Sequence, residues 1–160
     1  MHRRTIFNLS AITALGLALL PSNIVAQQGT LKQQLTGTWT LVSYTPNSNN
    51  RPNYKGILIL ESSGHYAELF GLADRPKYKN ASQPTIEERV AAQPFAANYG
   101  TWLVSEPDRT LTQRFEGAVI PNNEGAEVKS SVGLAGDELQ LTRVLPSSGV
   151  RQEFVYRRAR

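Results

Sequence analysis

Between residues 99 and 157, five runs of strand-forming residues follow one another with only short polar connections between them. The runs are Tyr99 to Ser105, Thr110 to Gly117, Glu127 to Leu134, Glu138 to Val144 and Val150 to Arg157. The connections are Glu106-Pro107-Asp108-Arg109, a Pro/Asn/Gly loop at 118–126, Ala135-Gly136-Asp137 and Pro146-Ser147-Ser148-Gly149. A parallel neighbour needs a crossover of about a dozen residues or more, so each run must pair antiparallel with the next. That restricts this part of the chain to up-and-down sheets.

Three further runs precede these. Trp39 to Tyr44 leads into an Asn-rich loop from Thr45 to Tyr54 that carries Pro46 and Pro52 and belongs at a rim, where its backbone stays solvated. Gly56 to Leu60, the turn Glu61-Ser62-Ser63-Gly64 and His65 to Phe70 read as a hairpin. One stretch carries a helix signal. Thr85 stands three residues before Glu88, the reciprocal capping arrangement, and predicts a helix from about Ile86 to Gln93 that ends at Pro94. Eight strands in up-and-down order is also the number at which a sheet closes and leaves room for one small ligand. An open sheet is the alternative, but one short helix would leave much of its apolar face wet. The expected fold is mainly β, an up-and-down antiparallel eight-stranded barrel with one short helix.

The N-terminus has the layout of an export signal. His2, Arg3 and Arg4 precede a mostly apolar run from Ile6 to Leu20, then Pro21, with a small residue at Ala26 before Gln27. The run is interrupted by Asn8, Ser10 and Thr13 and is too short for a bilayer span of about 20 apolar residues, so no permanent membrane anchor is expected. The paired arginines fit an ordinary or a twin-arginine signal. The expected division is a signal peptide at 1–26, a linker at 27–34 and one domain at 35–160, in a periplasmic or secreted monomer. Cleavage leaves 160 − 26 = 134 residues and lowers the net charge from +4 to +2 by removing two arginines. With no cysteine there is neither a lipid-attachment thiol nor a disulfide framework. No block of Lys and Arg interleaves with aromatics, so no nucleic-acid partner is expected.

Alternation along the strands sorts the polar candidates. Tyr66, Glu68 and Phe70 share one face; Trp39, Leu41 and Ser43 share another, opposite Thr40, Val42 and Tyr44. Thr112, Arg114 and Glu116 lie opposite Leu111, Gln113 and Phe115. Two readings of that strand stay open. With Arg114 and Glu116 inward, the charged pair orients a polar group of a ligand; with Leu111 and Phe115 inward, it is a solvated pattern. His65 is the only histidine after the signal and sits beside a turn glycine, which fits a solvated turn residue. One histidine and no cysteine point to no metal site and no nucleophilic triad, so no catalytic residue, metal or cofactor is assigned.

Taken together, Gly37-Thr38-Trp39 with Leu41-Val42-Ser43-Tyr44, Ser63-Gly64-His65-Tyr66, Asp74-Arg75-Pro76, the Glu87-Glu88 helix, Tyr99-Gly100-Thr101-Trp102, Glu116-Gly117 with Pro121-Asn122, and Gly136-Asp137-Glu138-Leu139 resemble the bacterial lipocalin-like domain family, over nearly all of 35–158. The resemblance implies a calycin-type barrel. It also implies a structural role for Gly37 and Trp39, with Trp39 closing one end under an arginine of the last strand, Arg157 or Arg158, of which Arg157 is taken here. Relatives include binding proteins and enzymes. This chain departs from them where they show a His-His pair, having Gln113-Arg114, and where they place arginines on the next strand, having Ser130 and Ser131. Those departures favour binding without turnover. The expected function is to hold a small apolar or amphipathic molecule in the barrel, oriented by Tyr66, Glu68, Arg114 and Glu116. The alternatives are a cofactor-independent cyclase or isomerase using a cavity carboxylate, and a filled barrel with a structural or protein-interaction role.

Overall fold

The computed structural model describes residues 29–46, 53–92, 95–144 and 149–160. The expected export signal at 1–26 lies outside them, as do Gln93 and Pro94, much of the 45–54 loop and most of the 146–149 turn. Eight strands form one sheet: β1 (Gly37–Pro46), β2 (Tyr54–Leu60), β3 (His65–Leu72), β4 (Phe95–Ser105), β5 (Thr110–Ala118), β6 (Glu127–Ala135), β7 (Glu138–Val144) and β8 (Arg151–Arg158). Each pairs antiparallel with the next, and β8 pairs back onto β1, so the sheet is a closed up-and-down barrel.

The ladder turns alternation into an inside and an outside. Leu58 and Leu60, Tyr66 and Phe70, Leu111 and Phe115, Val128 and Val132, Leu139 and Leu141, and Phe154 and Tyr156 all face a common core. The β1 register slips between Leu41 and Ser43. Trp39 and Leu41 are buried as alternation predicts, but the bulge leaves Val42 and Ser43 exposed and turns Tyr44 to the core. A second irregularity, between Tyr99 and Gly100 on β4, lets Phe115 and Ala118 both pack against the core and lays the Tyr99 ring on Gly117 outside.

The expected helix forms as α2 (Ile86–Ala92), with Thr85 and Glu88 bonded reciprocally: Glu88 N–H donates to Thr85 Oγ1 at 3.2 Å and Thr85 N–H to Glu88 Oε2 at 2.9 Å. The expected linker at 27–34 is corrected. Its second half opens a one-turn helix, α1 (Leu31–Leu35), whose start is a capping box between Thr30 and Gln33. The Glu106 carboxylate, from the β4–β5 turn, accepts from the N–H groups of Leu31 and Lys32 at 2.9 and 3.2 Å, so α1 is tied to the barrel at its N-terminus. Leu31 and Leu35 are buried in the core.

Candidate functional site

The two ends of the barrel differ. At the end where β1 begins, Trp39 is fully buried, donates its Nε1–H to the Leu35 carbonyl at 2.8 Å, and lies under the Arg158 guanidinium, 4.1 Å from the ring centre. Arg158 also donates to the Thr36 and Gln34 carbonyls. The assignment of this role to Arg157 is corrected: the β1–β8 register sets Trp39 opposite Arg158, whereas Arg157 lies opposite Thr40 and points to solvent. Gly37 has φ +133°, a backbone conformation that side-chain-bearing residues adopt only under strain, and a Cβ there would press on Arg158 Nη1 at 2.9 Å. This end is plugged.

At the opposite end, Tyr44, Tyr54, Phe70 and Phe154 form an aromatic cluster with ring centres 4.7 to 6.4 Å apart. Tyr44, Tyr54 and Phe70, with Phe95, Ala96 and Gln152, line a cavity of about 290 Å³. Arg75, from the β3–α2 connection, covers the Phe95 ring at 4.7 Å.

Below that mouth runs a buried polar network. Glu68 is fully buried; its Oε1 accepts from the Tyr156 hydroxyl at 2.8 Å and its Oε2 from Arg143 Nη1 at 3.3 Å. Arg143 Nε donates to Gln152 Oε1 at 2.8 Å, and Gln152 Nε2 donates to the Tyr44 hydroxyl at 2.7 Å, which carries the network up to the mouth. The Arg143 guanidinium also stacks on Phe154, 4.5 Å from the ring centre. A buried carboxylate is tolerated only when paired and hydrogen-bonded, and Glu68 is both. Burial pushes the Tyr156 hydroxyl well above its ordinary value, with Glu68 adding to it; burial, then Glu68, likewise raises Tyr66. Burial also raises Tyr44, against the opposing charge of Arg143. All three phenols are therefore held neutral, and of them Tyr156 donates to Glu68.

The chain matches no protein-family profile and no curated protein. Among solved structures it is similar to a redesigned beta barrel, at 12% identity over 82% of this chain and 100% of that one, with a TM-score of 0.48. It is also similar to a de novo designed fluorescence-activating beta barrel, at 13% identity over 80% of this chain and 96% of that one, with a TM-score of 0.45.

Of the residues singled out from the sequence, Tyr66 and Glu68 lie inside the barrel, and both are buried. Arg114 and Glu116 do not join them. Leu111, Gln113 and Phe115 take the inner face of β5, so Arg114 and Glu116 point to solvent and cannot orient anything in the interior. Arg143, Gln152, Tyr156 and Tyr44 went unselected. Arg143 and Gln152 carry a readable signal, because Arg143 continues the apolar face of Leu139 and Leu141, and Gln152 that of Phe154 and Tyr156. Tyr44 has none, since its facing depends on the bulge. No group of three or more His, Cys, Asp or Glu able to hold a metal ion occurs among the described residues.

A larger depression of about 420 Å³ lies on the outer face of β3 to β5, lined by Leu69, Ala97, Tyr99, Gly117 and Val119 among others. It contains no part of the Glu68 network, whereas the smaller mouth cavity includes Gln152.

Proposed function

We propose that this chain is an exported lipocalin-like protein that binds a small, largely apolar molecule through the aromatic mouth of its barrel. The difference in lining between the ends carries this reading: one end is plugged by Trp39, α1 and Arg158, with a depression of about 290 Å³ beside it lined by Gly29, Gln34, Leu134, Gly136 and Arg158, whereas the cavity of about 290 Å³ at the other end has aromatic walls. That volume is near the lower end of the roughly 300–1,000 Å³ typical of small-molecule sites. Aromatic walls supply apolar contact, and the Gln152–Tyr44 pair supplies a polar edge for orientation.

The catalytic reading is less well supported. A general base must reach the proton it removes, and Glu68 has both oxygens engaged, by Tyr156 and by Arg143. A purely structural filled barrel would leave the open aromatic mouth without a use. Export is supported by the layout of residues 1–26.

Native mass spectrometry of the chain recovered from the periplasm or medium of expressing cells tests binding and export together. The expected spectrum shows a chain shortened by about the first 26 residues carrying a discrete small-molecule adduct, identifiable after organic extraction. A full-length, adduct-free mass confined to the cytoplasm would overturn the proposal.

A further inference from the structure

Five buried side-chain atoms have no hydrogen-bond partner among the described residues: the Tyr66 hydroxyl, Asn98 Oδ1, both polar atoms of the Gln113 amide and the Ser130 hydroxyl. Tyr66 is 3% exposed, and Gln113 and Ser130 are fully buried. An unpaired buried polar group costs about 1–3 kcal/mol, so each of these atoms calls for a partner, either a bound water or a polar group of a ligand.

The ladder brings these groups together. Gln113 lies opposite Val128, and Ser130 is two residues further along that strand, so the two are diagonal neighbours on the inner face. Ser130 in turn lies directly opposite Arg143, and Asn98 opposite Glu68. Gly100 separates Tyr66 from Phe115 in the ladder and contributes no side chain between them, leaving the two rings 6.4 Å apart. Tyr66 and Gln113 sit two residues nearer the plugged end than Glu68 and Phe115, and therefore below the mouth.

We infer that Gln113, Ser130 and Tyr66 form a second, deeper subsite that takes an uncharged head group carrying both a hydrogen-bond donor and an acceptor, such as a primary amide. The inference rests on the proposed binding at the mouth, which would hold the apolar body of the same molecule. Gln113 offers an acceptor and a donor side by side, which a primary amide matches in complementary order. Tyr66 and Ser130 add hydroxyl donors. The Glu68–Arg143 pair beside the subsite is already matched in charge, so a charged head would arrive without a counter-ion and is disfavoured.

The test is displacement of Nile red from the full chain by decanamide, by N,N-dimethyldecanamide, which lacks the donor, and by decanoate, which is charged. Decanamide is expected to displace the dye at an about tenfold lower concentration than either, the worth of roughly one net hydrogen bond. In Gln113→Leu, and separately in Ser130→Ala, the ratio between decanamide and its dimethyl derivative should fall towards one, each variant being referred to its own dye affinity. Dye uptake with equal displacement by all three compounds would overturn the subsite and leave the mouth reading standing. No dye uptake by the natural chain would overturn both.

Discussion

Tyr156 donates its hydroxyl to Glu68 Oε1 at 2.8 Å, joining β8 to β3 across the barrel interior. Tyr156→Phe removes that donor and leaves the carboxylate dependent on Arg143. A loss of about 1.5–3 kcal/mol is expected, the range for hydrogen bonds to charged groups, read as a lower urea midpoint at unchanged slope. Glu68→Ala should cost more, about 3–5 kcal/mol, because it strands the buried Arg143 charge.

At the plugged end, Arg158→Ala is expected to destabilise by about 1–3 kcal/mol, through loss of the Trp39 stack and of the bonds to Thr36 and Gln34. Arg157→Ala should change stability by less than about 0.5 kcal/mol, as for an ordinary surface position. Comparing the two denaturation curves checks the assignment. Equal effects would contradict it.

Three of the six tyrosines, Tyr44, Tyr66 and Tyr156, are raised above the ordinary phenol value of about 10. Their unfolded forms ionise first, so the folded state holds more protons above about pH 10 and stability falls as pH rises through that range. Alkaline absorbance titration should show these three phenols ionising only as the barrel unfolds. Ionisation of Tyr44, Tyr66 and Tyr156 at about pH 10 in folded protein would contradict the buried network.

Gln113→Leu replaces an unpaired amide by an apolar group of similar size. The ligand-free protein should gain about 1–2 kcal/mol, seen as a higher melting temperature. Such a gain, together with a loss of head-group discrimination, would be a stability cost held for function.

The barrel was legible because short connections force antiparallel neighbours, and because the Thr85–Glu88 box marks α2 by its own chemistry. Tyr66 and Glu68 were legible as inner residues from alternation with Phe70. The β1 bulge was not, since nothing in Leu41-Val42-Ser43 announces an extra residue, and with it the inward turn of Tyr44 was lost. Arg114 and Glu116 misled because charge suggested function, while Leu111 and Phe115 decided the face by burial. α1 went unseen although Thr30-x-x-Gln33 is the same kind of capping box, because five residues are too few to show a helical period.

Backbone amide NMR of the isotope-labelled chain during titration with 1-decanol tests the central claim most directly. The account predicts saturable shift changes centred on Tyr44, Tyr54, Phe70, Ala96 and Gln152, with little change around Trp39 and Leu139. Changes centred on Leu69, Tyr99 and Val119 of the outer depression, or none at the solubility limit of decanol, would contradict it.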